Sequence, residues 1–75
     1  MQSPDELQLL RLLLTRLERV SADSYWAHRA SGIRGALLRA LDRIEAGQQV
    51  DQSALRRWMD QGFQILGQAA QERTR

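Results

Sequence analysis

Apolar residues recur every third or fourth position over nearly the whole chain, and two short stretches break the rhythm: "SADS" (21–24) and "GQQV" (47–50). At about 100° per residue, that spacing lays one apolar face along a helix, whereas a half-buried strand would alternate with period two. No strand-period segment, internal repeat or low-complexity linker interrupts the pattern. The expected fold class is therefore all-α, with helices over 4–20, 23–46 and 52–72 in a single domain spanning 1–75. Short joints between long helices favour antiparallel neighbours. The expected architecture is a three-helix bundle, or a long helical hairpin with a third helix packed on it.

Local signals set the helix limits. In "SPDE", Ser3 suits the N-cap, Pro4 the first helical position and Asp5 the dipole, and Glu6 closes a capping box. The apolar residues that follow are Leu7, Leu9, Leu10, Leu12, Leu13, Leu14, Leu17 and Val20. Most fall on one broad arc, wide enough to pack against more than one neighbour. Leu12 does not; it projects between Arg16 and Arg19 on the polar side.

Ser21, Asp23 and Ser24 are candidate caps for the second helix, and Gly47 is a natural residue just past its end. Its stripe is Trp26, Ala30, Ile33, Leu37, Ala40, Leu41 and Ile44. Asp51 caps the third helix, where Val50 can close a hydrophobic staple onto Leu55. That stripe runs Leu55, Trp58, Met59, Gly62, Phe63, Ile65, Leu66, Ala69 and Ala70. Arg57, Asp60, Gln61, Gln64, Gln68 and Gln71 oppose it.

A 75-residue chain is marginal as a lone domain. It has no Cys, so its stability must come from well-packed helices or from oligomerisation. Absence of Cys fits a reducing compartment, no apolar run reaches the roughly 18 residues of a spanning helix, and the N-terminus is acidic where a secretory signal is basic. A cytoplasmic location is expected, and the initial Met suggests a complete small protein. The net charge is +2, and all eleven basic residues are Arg. That bias has two readings: the base composition of a GC-rich genome, or selection for guanidinium forks that bind carboxylates and phosphates.

Chemical motifs are sparse. His28 is the one side chain suited to base work near neutral pH, with Ser24, Ser31 and Tyr25 as nearby nucleophiles. Ser24 and His28 are spaced to share a helix face, but a triad also needs an orienting carboxylate and an oxyanion hole. Asp23 is near in sequence but sits at the helix start, and a bundle this small offers no obvious pocket. No catalytic residue is assigned. The chain has no HxxxH or ExxH pair, and Asp42 and Glu45 lie beside Arg39 and Arg43 as in solvated helix pairs. Neither a metal site, a cofactor nor a small-molecule substrate is expected. "SGIRG" has the glycines of a phosphate loop but lacks the preceding strand and the GKS or GKT ending. Membrane-surface binding needs a strongly basic amphipathic helix, and the helix nearest to that needs its apolar face for the core.

Gly32 and Gly35 lie inside the second helix, each costing about 0.8–1 kcal/mol relative to Ala. On the helical wheel both fall on the outward side with His28 and Arg39, and Ser31 adjoins them. Ala27, Ser31 and Gly35 form a row of small residues of the kind that lets helix backbones approach closely. A tolerated glycine or a required kink would explain them equally. The candidate interface is His28, Ser31, Gly32, Gly35 and Arg39, with Leu12 on the first helix.

The function expected from these readings is a non-enzymatic helical interaction module: a homodimer, or a small subunit or adaptor of a larger complex. One alternative is an Arg-rich nucleic-acid-binding regulator, although its Arg residues are scattered among acidic ones rather than gathered on a stripe. Another is a small chaperone that covers an amphipathic client helix.

Overall fold

The computed structural model describes residues 4–20 and 22–73. Three helices make up the fold: α1 (Pro4–Glu18), α2 (Ala27–Glu45) and α3 (Gln52–Arg73). Each packs on both of the others, so the architecture is a three-helix bundle. Its envelope is 42 × 19 × 18 Å. α3 accounts for most of the length, since 22 residues at about 1.5 Å each span roughly 33 Å. Two ion pairs show the sense of α1 against α2: Arg11–Glu45 at 3.4 Å and Arg34–Glu18 at 2.8 Å. Rising numbers on α1 meet falling numbers on α2, so the two are antiparallel. A short return to α3 then leaves α1 and α3 parallel. Both pairs are solvent-exposed, worth about 0–1 kcal/mol each, and tie the α1–α2 seam without anchoring it.

α1 starts at Pro4 as expected; the Ser3 half of the capping box lies outside the described residues. The helix ends two residues before the expected Val20. There the chain tightens, with the Arg19 amide donating to the Arg16 carbonyl (3.1 Å) and Val20 to Leu17 (3.3 Å), the three-residue spacing of a 3₁₀ turn.

The start of α2 departs further, at Ala27 rather than Asp23. Ser24 explains the shift. Its Oγ accepts the Trp26 amide hydrogen at 3.1 Å, and its carbonyl accepts that of Ala27 at 3.1 Å. A serine side chain that captures a nearby amide offers the backbone a turn in place of a helix. Trp26 then holds the N-cap position at φ −90°, ψ −4°, with no side-chain cap. Asp23 is thereby in the turn, and Ser21 lies outside the described residues. From Ala27 onward α2 is continuous through Gly32 and Gly35.

Gly47 ends α2 as expected, with φ +78°. Its amide donates to the Ile44 carbonyl (3.0 Å) and that of Gln48 to Arg43 (2.9 Å), the paired bonds of a Schellman motif. A Cβ would meet no atom there, but the left-handed backbone itself disfavours one. Gly47→Ala should therefore cost about 1 kcal/mol, read as a lower urea midpoint at unchanged slope. An unchanged midpoint would show that the motif does not hold this joint. At the other side of the joint, Asp51 Oδ1 accepts hydrogen bonds from the amides of Ser53 (3.0 Å) and Ala54 (3.3 Å), capping α3 as expected. Val50 is half-buried against the core and Leu55 is buried, as the staple requires.

The buried core joins Leu10, Leu13, Leu14 and Leu17 from α1, Ala30, Leu37 and Ala40 from α2, and Leu55 and Ile65 from α3. Among the described residues no polar side chain is buried. Gly62 is also buried, and a Cβ there would lie 3.0 Å from Leu13 Cδ2 and 3.1 Å from Cδ1. This is a close approach of α3 to α1, tighter than an ordinary Cβ contact, so a side chain at 62 would push on Leu13.

Two large stripe side chains stay exposed. Leu9 is 42% exposed and Phe63 41%. Both sit at the edge of their apolar arc, and with only three helices no neighbour covers that edge. Ala70, also counted on the third stripe, is exposed near the end of α3.

Candidate interaction surface

The uncovered arc edges of α1 and α3 meet in one groove of about 250 Å³. Its apolar lining is Leu9 from α1 with Leu55, Met59 and Phe63 from α3. Glu6, Gln52, Arg56 and Asp60 supply the polar lining. The parallel course of α1 and α3 produces this arrangement, since the first turns of α1 lie beside the first half of α3. The Leu13–Gly62 contact draws the helices together beyond the groove.

Leu12 adjoins this surface. It is one turn on from Leu9, and residues three apart are neighbours on a helix surface. At 48% exposure it presents much of its side chain to water. Exposed apolar residues scattered singly are ordinary. Here Leu9 and Phe63 share one groove beside a charged rim, and Leu12 is one helical turn from Leu9.

The groove carries both signs of charge. Arg56 and Asp60 are four apart on α3, hence on the same flank. Neither has an ion-pair partner among the described residues. Its volume is below the roughly 300–1,000 Å³ of ordinary small-molecule pockets. It suits one or two apolar side chains of a partner rather than an enclosed substrate.

The structure separates the interface residues read from the sequence. His28, Ser31, Gly32 and Arg39 are exposed on the outer side of α2, and Gly35 is half-buried there. A Cβ at Gly35 would lie 3.6 Å from Arg39 Nη1, so the guanidinium covers that glycine. A Cβ at Gly32 would meet no atom within 4 Å. Contacts within the chain therefore require neither glycine; the glycine they crowd is Gly62. Leu12 is not part of this group. Arg11 and Glu18 mark the α2-facing flank of α1, and Leu12 is more than 90° around the helix from both at about 100° per residue.

Ser24 and His28 do not share a helix face, because α2 begins between them. At that end Arg29 lies over the Trp26 ring, 5.7 Å from its centroid, and Tyr25 meets Trp26 edge-on at 5.3 Å. Arg11 and Arg34 are engaged in the α1–α2 seam rather than presented outward as a basic stripe. No group of three or more His, Cys, Asp or Glu among the described residues could hold a metal ion. No helix among them is long and apolar enough to cross a membrane.

Sequence reasoning missed the groove. Leu9 and Phe63 were both visible as apolar residues at the margins of their arcs, but nothing in either helix alone says that the two margins coincide.

Fold and surface together define a class: a small three-helix bundle with an open, charge-rimmed apolar groove. No family model, curated protein or solved structure matches the chain.

Proposed function

We propose that the chain is a helical protein–protein interaction module that docks through the α1–α3 groove. The observation that carries this reading is the shared exposure of Leu9 and Phe63 on the two sides of one groove. A partner helix laid along it would remove those side chains, and Leu12 beside them, from water. This is the helix-in-groove mode, in which an amphipathic helix places successive apolar side chains into a hydrophobic slot. A subunit or adaptor role and self-association would use the same contact.

Site-specific photo-crosslinking in living cells tests it. A photoreactive residue at Leu9 or Phe63 should give discrete covalent adducts whose composition mass spectrometry identifies. The same residue at Gln68, exposed on the side of α3 away from the groove, should give none. Absence of adducts at both groove positions, or equal yield at Gln68, would remove the groove as the docking face.

A further inference from the structure

We infer that the occupant of the groove is a second copy of the chain, seated face to face across a two-fold axis. The inference rests on the docking reading above and specifies the partner. The rim charges carry the argument. A wholly acidic partner would oppose Asp60 and Glu6, and a wholly basic one would oppose Arg56. A matching helix must present both signs at the same spacing, and α3 of a second copy does so.

In a two-fold interface, residue i meets residue j and j meets i. Two α3 helices crossing antiparallel about position 58 bring Arg56 to Asp60 of the second copy, and Asp60 to its Arg56. One pair of residues four apart thus yields two ion pairs. The Leu13–Gly62 contact sets the stagger of α1 against α3. It places Leu9 level with position 58, so Leu9 meets its own symmetry mate at the centre, flanked by Met59 and Phe63. Apolar side chains then fill the middle and the charged pairs close the edge, the usual anatomy of an interface. The small core gives the same direction, since apolar surface buried in an oligomer adds stability to a small bundle.

Sedimentation equilibrium of the purified full chain, from micromolar to millimolar, provides the test. Wild type should dimerise. Arg56→Asp and Asp60→Arg should each weaken the dimer about tenfold or more, because each places like charges opposite one another. Circular dichroism should show both variants folded. An equimolar mixture of the two variants should regain the dimer, since every facing pair is then acid against base. A role of these side chains in folding alone would not produce that rescue. A strict monomer at millimolar concentration overturns the inference, as does failure of the mixture to associate. A dimer indifferent to both substitutions but lost in Gly35→Leu also overturns it, in favour of the outer face of α2. If wild type is monomeric while Leu9 and Phe63 crosslink to a different protein, only the second-copy assignment falls. If it is monomeric and they crosslink to nothing, the docking reading falls with it.

Discussion

Leu37→Ala should remove about 2–5 kcal/mol of stability, the largest effect expected of any single side chain in this bundle. Leu37 has 0% exposure and sits mid-way along α2, which packs on both other helices. Its buried neighbours on the same face are Ala30 and Ala40. The methyl groups of these alanines cannot fill the space a lost isobutyl group leaves, so the lost transfer term and part of a cavity term are expected. Folded domains have about 0.05–0.15 kcal/mol of stability per residue, which for 75 residues is roughly 4–11 kcal/mol. The substitution should therefore remove a large part of the total. Urea denaturation followed by circular dichroism measures it, at fixed protein concentration because association adds to apparent stability. A loss under about 1 kcal/mol, the cost of a surface-like site, would show that α2 is not packed as described.

Gly62→Ala and Gly67→Ala should change stability in opposite directions although they replace the same residue in the same helix. Alanine is favoured over glycine in a helix by about 0.8–1 kcal/mol. At Gly67 a Cβ would meet nothing within 4 Å, so that preference should appear as a gain. At Gly62 it would lie 3.0 Å from Leu13 Cδ2. Leu13 has 0% exposure, so its side chain must give way among buried neighbours. Either its side chain leaves its preferred rotamer or α3 shifts outward. Overpacking of this kind costs about 1–3 kcal/mol, enough to offset the helix preference and reverse its sign. The two midpoints, measured side by side, should fall on either side of wild type. Equal stabilisation by both would mean that α1 and α3 do not approach at Gly62.

Much of the fold is legible in the chain itself because its signals are local. Pro4 at the head of α1, Asp51 at the head of α3 and Gly47 past the end of α2 each act on amides or carbonyls within a few residues. The start of α2 is the exception. Ser21, Asp23 and Ser24 compete for the same amides, and a local rule ranks them equally. The outcome places a half-buried Trp26 against a core that all three helices build.

The candidate surface is much less legible. A helical wheel correctly sets Leu12 on the polar side of α1, and Gly32 and Gly35 on the outward side of α2. It places Leu9 and Phe63 at the margins of apolar arcs and goes no further. Whether a margin is core or surface depends on how many neighbours a helix has and where they lie.

By itself the sequence determined that this protein is three helices, where two of them begin and one ends, and which face of each turns inward. Those properties follow from hydrogen bonds and periodicity within single segments. The tertiary structure decided which glycine marks a helix contact and which apolar residues stay in water. Both depend on distances between segments: the approach of α3 to Leu13 selects Gly62, and the parallel course of α1 and α3 brings Leu9 and Phe63 to one groove.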